Sequence, residues 1–99
     1  MRRIARPDIA KIDITQLLYA LSDPDRLEIV KKLANKKSMT CGELNCDRPK
    51  SSMSHHFKIL RDAGIIETLI EGKEHLNSLR SVELEKKFPS LLKSILKVL

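Results

Sequence analysis

The sequence predicts a mainly α-helical domain with one small β-hairpin, assembled as a dimer. Three observations carry that expectation. Apolar residues recur at helical spacing through most of the chain; one stretch after Gly64 turns rich in β-branched residues around a tight turn; and both ends carry apolar stripes. A chain of 99 residues has room for one domain. At that size only about 60–70% of the unfolded surface is buried, so association supplies what a lone core lacks.

Each element has its own signal. Ile14, Leu17, Leu18 and Leu21 fall on one helical stripe behind Asp13, a capping residue. Asp23 followed by Pro24 opens a second helix, with Leu27, Val30, Leu33 and Ala34 continuing the stripe to about residue 35. Thr40 and Glu43 form a capping box for a short third helix, which the segment Asp47 to Pro49 must end within two turns. A fourth helix begins at Lys50 or Ser51 and runs to Ala63, closed by Gly64. Ile65 to Ile70, the turn Glu71-Gly72-Lys73, and Glu74 to Leu79 read as an antiparallel hairpin. From Ser81 a charged helical stretch follows, interrupted or restarted at Pro89, in which Phe88, Leu91 or Leu92, Ile95 and Leu99 repeat at three and four residues. Two short helices followed directly by a two-stranded wing describe a winged helix-turn-helix. The expected division is a basic arm over 1–12, dimerisation helices over 13–22 and 82–99, the helix-turn-helix over 41–63 and the wing over 65–80.

Composition narrows the function. Nineteen Lys and Arg against 13 Asp and Glu give a net charge of +6, doubled in a homodimer, which favours an anionic partner such as double-stranded DNA. No stretch reaches the roughly 20 apolar residues of a membrane span, and the opening MRRIARPDIAK lacks the apolar core of a secretory signal, so a cytoplasmic protein without membrane contact is expected. Glycine-rich phosphate loops and catalytic constellations are missing, and neither an enzyme nor a cofactor is expected. RNA binding would want an aromatic platform, whereas the aromatic residues are Tyr19, Phe57 and Phe88 alone. A winged helix used for protein interaction is the competing function, against which the basic fourth helix stands.

On a helical projection Met53, Phe57 and Leu60 cluster toward the core, with His56 and Ala63 at the flank. The opposite side shows Ser51, Ser54, His55, Lys58 and Asp62, with Ser52 at its edge, and no acid occurs from Arg48 through Arg61. Short hydrogen-bonding side chains beside cations suit base edges and phosphates in a major groove. His55 looks outward, toward DNA or plain solvent; His56 is expected to be a satisfied interior histidine. Lys73 at the wing tip is placed for a phosphate. Arg2, Arg3, Arg6 and Lys11 form either a phosphate-binding arm or a frayed basic tail.

The run ALSDPDRLEIVKKLA resembles the second-helix signature of ArsR-type repressors, and SHHFKILRDAGII resembles their recognition helix leading into the wing. With Gly42-Glu43-Leu44 the resemblance spans residues 20 to about 80. It implies a homodimer paired through its first and last helices, here Leu17, Leu18 and Leu21 with Leu92, Ile95 and Leu99, that binds an imperfect palindrome and represses until an unidentified effector releases it. It also implies recognition contacts at Lys50, Ser51, Ser52, Ser54 and His55, although the family usually carries arginine or lysine where His55 stands. Family sensors often hold metals with close cysteines in the third helix or with Asp and His along the last one. Residues 82–99 contain no Asp, His or Cys, and Cys41 and Cys46 would point about 140° apart on a continuous helix. No metal site is expected, and these thiols are read as buried or incidental rather than as a sensor.

Overall fold

The computed structural model describes residues 2–45 and 48–99. In chain order these form β1 (Arg2–Arg3), a 3-10 turn (Ile9–Lys11), α1 (Ile14–Ala20), α2 (Pro24–Asn35), β2 (Met39–Thr40), α3 (Cys41–Asn45), α4 (Lys50–Asp62), β3 (Ile66–Glu71), β4 (Glu74–Leu79), α5 (Ser81–Lys87) and α6 (Leu91–Lys97). This is the expected mainly α winged helix-turn-helix.

The caps do what the sequence asks of them. Asp13 Oδ1 accepts from the Thr15 hydroxyl at 2.6 Å and from the Gln16 amide at 2.8 Å, and these bonds hold its carboxyl below the ordinary value. Asp23 Oδ2 accepts from the amides of Asp25 and Arg26 at 3.0 and 3.2 Å, just ahead of Pro24. The capping box closes in both directions. The Thr40 amide donates to Glu43 Oε1 at 2.9 Å, and the Glu43 amide donates to the Thr40 hydroxyl oxygen at 3.1 Å. Gly64 ends α4 with φ +76°, and a Cβ there would lie 2.8 Å from Ile9 Cδ1. The left-handed backbone is what calls for glycine here, since the Ile9 methyl is the end of a flexible side chain that could shift.

Ile29 and Val30 of α2, Leu44 of α3, Leu60 of α4, and Ile65 and Ile66 at the start of the wing are fully enclosed. Burial of such a side chain is worth about 1.5–3 kcal/mol, so this cluster is the main force holding the helix-turn-helix against the sheet.

The sheet is larger than a hairpin. Its order is β1-β3-β4-β2, all neighbours antiparallel. The residues leading into α3 pair with β4, Met39 with Asn77 and Thr40 with Leu76, and the chain start pairs with β3. The N-terminus is thus not a frayed tail: Arg2 pairs with Ile70, Arg3 pairs with Leu69, and the Ile4 amide donates to the Thr68 carbonyl at 2.9 Å. Two-residue strands leave no alternating pattern, so the hydrophobic periodicity could not reveal either one. At the other end Pro89 divides the last helix. Ser90 takes φ 63° and its amide donates to the Glu85 carboxylate before α6 begins.

Glu83 on α5 gathers the ends of the chain. It accepts from Arg80 Nη2 at 2.8 Å and Nε at 3.1 Å, and from Arg6 at 3.2 Å, while Arg80 Nη1 donates to the Pro7 carbonyl at 2.9 Å. The hydrogen bonds from Arg80 hold the Glu83 carboxyl below its ordinary value, against a smaller opposing effect of burial. A depressed carboxylate stabilises the fold above its unfolded pKa and loses that contribution as pH falls through the folded value. Thermal melts should show a Tm that drops as pH falls below about 4.3. The Glu83→Gln variant should be less stable at pH 7 and show a shallower fall over the same range.

Candidate nucleic-acid interface

Helix α4 is held by its apolar side. Met53, Phe57 and Leu60 are buried, and Lys50, Ser51, Ser52, Ser54, His55 and Lys58 are exposed along the other side. Pro49 precedes the helix and offers no capping side chain, so the first-turn amides of α4 are left to solvent or a ligand. Lys58 pairs with Asp62 at 2.7 Å across one helical turn, both side chains well exposed. Such a surface pair is worth under about 1 kcal/mol and can exchange for a phosphate.

A groove of about 370 Å³ separates α4 from the wing. Lys50 and Ser54 border it from α4, Cys41, Gly42 and Asn45 from α3, and Lys73, Glu74 and His75 from the hairpin, with Phe57 among its lining. His75 belongs to this surface and escaped the sequence reading. Its signal was position: two residues before the buried Asn77, on the same strand face. Gly72 has φ +61° with open space around it, so the tip turn projects Lys73 without crowding.

Two polar interlocks aim these parts. Arg26 of α2 is 6% exposed; its Nε donates to the Ala20 carbonyl at 2.6 Å and its Nη2 to the Tyr19 carbonyl at 3.2 Å, closing the end of α1. Its Nη1 lies 3.2 Å from His56 Nδ1 on α4. A guanidinium can only donate, so Nδ1 accepts and neutral His56 carries its proton on Nε2. That proton faces the carboxylates of Asp23 and Asp25, 3.7 and 3.6 Å away. The three groups have metal-ligand spacing, all donor atoms within 4.8 Å, yet this tautomer turns a hydrogen, not a lone pair, toward the acids. His56 is the interior histidine expected, held by charge rather than by apolar packing. In the second interlock, buried Thr68 donates to Asn77 Oδ1 at 2.7 Å, and Asn77 Nδ2 reaches the Met39 carbonyl and Cys41 Sγ, both at 3.3 Å. This pins the wing to the start of α3. Cys41 is half-buried in that contact, while Cys46 lies outside the described residues.

Residues 21–68 match a family described as a helix-turn-helix domain. An uncharacterized HTH-type transcriptional regulator, YceK of Bacillus subtilis, is 35% identical over 83 residues, 81% of this chain and 83% of that protein. The arsenical resistance operon repressor of Staphylococcus xylosus is 35% identical over 68% of this chain and 65% of its own length. The chain belongs to the ArsR-type helix-turn-helix transcriptional regulators. Among solved structures it is similar to the transcriptional repressor BigR of Xylella fastidiosa, with TM-score 0.68 and 28% identity over 86% of this chain and 84% of that one. In this regulator the helix-turn-helix is the DNA-binding domain, and relatives and structural neighbours are regulators rather than enzymes. No helix among the described residues is long and apolar enough to cross a membrane.

The residues given to dimerisation divide in two. Leu17 and Leu21 are buried inside the chain's own core, where with Leu84, Phe88, Leu91, Leu92 and Ile95 they line a narrow apolar cleft. Leu18 and Leu99 are exposed. Ile14, on the same predicted stripe, is exposed too, as are Tyr19 and Val98, because helical spacing separates the two sides of a helix without saying which side the core takes.

The Arg26–His56 contact joins α2 to α4, so its loss should be seen in stability. Hydrogen bonds to charged groups contribute about 1.5–3 kcal/mol, so His56→Ala and Arg26→Ala should each lower stability by an amount of that order. Urea melts of the double variant should fall short of the sum of the single losses, whereas His55→Ala should leave stability within about 0.5 kcal/mol of the parent.

Proposed function

We propose that this regulator is a repressor that binds a palindromic operator as a homodimer, with α4 in the major groove and the wing tip on the flanking backbone. The observation that carries this reading is the exposed side of α4: three serines, a histidine and two lysines with their backs to a closed core, next to a groove bordered by Lys73. Ser51, Ser52, Ser54 and His55 offer short donors and acceptors for base edges; Lys50, Lys58 and Lys73 offer charge to phosphates. The repressors among its relatives and neighbours support the direction of control.

Dimerisation would be made by α1 and α6. Leu18 is 47% exposed and Tyr19 61% on α1, and Val98 is 82% exposed just after α6. Adjacent apolar residues left in water at both ends of a small chain mark an interface, and a twofold axis would set two α4 helices about 34–36 Å apart, one DNA turn.

Selection of bound duplexes from a random pool should return a palindrome with half-site centres one turn, or a multiple of it, apart. Unselected pools with no enrichment over competitor DNA would sink the reading and favour a protein-interaction module. On the selected site His55→Ala should cost about 1–3 kcal/mol and much less on unrelated DNA, whereas Lys73→Ala should weaken all sequences alike. For the dimer, Leu18→Asp and Val98→Asp are the informative variants, because both side chains already face solvent and the monomer fold should survive. Sedimentation should show each variant shifted toward monomer, and operator affinity should fall with the shift; a monomeric parent that binds at full affinity would refute the twofold arrangement.

A further inference from the structure

Strand β1 has no part in the reading above, although the sheet gives its two arginines opposite settings. Residues paired across an antiparallel ladder share a face. Arg3 pairs with Leu69, on the face of Glu67, and its Nε lies 3.6 Å from the Glu67 carboxylate. Arg6 joins Glu67 to Glu83. The charges of Arg3 and Arg6 are thus matched.

Arg2 is different. It pairs with Ile70, and Ile70 pairs with His75, so the three form one row across the sheet, on the face of Thr68 and Asn77. His75 borders the groove beside α4. Two strand spacings, about 10 Å, separate Arg2 from His75 along that row. The strand acids Glu67, Glu71 and Glu74 alternate to the opposite face, although Glu74, next to the turn, also borders the groove. Arg2 is exposed, and among the described residues its guanidinium has no carboxylate or carbonyl partner. The strand that carries it is held by the Ile4–Thr68 bond, by the two carboxylates on Arg6, and by the Arg80 bond to the Pro7 carbonyl. The backbone under Arg2 is thus already ordered, so binding has only the side chain left to order.

We propose that β1 widens the wing into a three-stranded DNA-facing edge, with Arg2 binding a backbone phosphate of double-stranded DNA further out than the one met by Lys73. The proposal rests on the DNA reading of α4 and the wing, and it adds a contact that contributes affinity without reading sequence. It also gives the paired Arg3 and Arg6 a purpose: they anchor the strand whose first arginine is left unmatched.

The test uses the full chain and a generic duplex of about 30 base pairs, with binding measured between about 50 and 200 mM salt. Arg2→Gln and Arg3→Gln remove the same charge from neighbouring positions on opposite faces. Arg2→Gln should lower the slope of log affinity against log salt by about 0.9 per chain, so that its deficit against the parent shrinks by about 3.5-fold per chain across that range. Arg3→Gln should change the slope by less than a third of that, and thermal melts identify any variant that has lost its fold. Equal slope losses in both variants would mean a general charge effect and overturn the proposal. An unchanged slope in Arg2→Gln beside a lowered slope in Lys73→Gln would overturn it while leaving the DNA reading intact. A parent chain with no salt-dependent duplex binding would fail the DNA reading itself.

Discussion

A guanidinium buried among three helices sets the geometry from which the exposed side of α4 follows. Arg26 closes the last carbonyls of α1, stacks 5.4 Å over the ring of Tyr19 and meets His56 on α4, while the cap of its own helix, Asp23, faces the same histidine. A charge so enclosed is tolerable only where its donors find acceptors, and that condition leaves α1, α2 and α4 little freedom to rotate. The rotation of α4 matters most. Turning it by one residue would move the angular position of every side chain by about 100° and bring His55 toward the core in place of His56.

The wing is positioned by a second buried polar device of a different kind. Thr68 and Asn77 satisfy each other at the centre of the hairpin, and the remaining amide hydrogens of Asn77 tie β4 to the entry of α3. An unsatisfied amide at this depth would cost about 1–3 kcal/mol, so the network is specific as well as stabilising: one register of the hairpin satisfies it. The groove between α4 and the wing therefore has walls joined through backbone and side-chain bonds rather than through loose packing.

Charge is distributed by the same alternation that builds the sheet. Glu67 and Glu71 stand on the outer face, where Glu67 engages Arg3 and Arg6, and the inner face carries His75 and Arg2. A net charge of +6 spread evenly would attract DNA weakly from all sides. Sorted by face, much of the acid is kept away from the surface shared with α4, and the attraction acquires a direction.

Much of this was legible in the sequence, because it depends on neighbours along the chain. The caps at Asp13, Asp23 and Thr40, the stop at Gly64, the break near Pro89 and the turn at Gly72 are local signals, and each describes a bond or dihedral made within a few residues. The two sides of α4 follow from helical periodicity, which is why the sequence already places Ser51, Ser54 and His55 outward. What lay beyond reach depends on partners distant in the chain. That Leu17 and Leu21 are buried while Leu18 is exposed, that His56 meets Arg26 thirty residues away, and that two-residue strands at Arg2 and Met39 join the wing are consequences of packing. The sequence by itself determined which elements exist and which face of each is apolar, since propensity and periodicity are local. Only the tertiary structure decided which buried charges find each other and which arginine is left unmatched, since those energies arise between residues that the chain alone does not bring together.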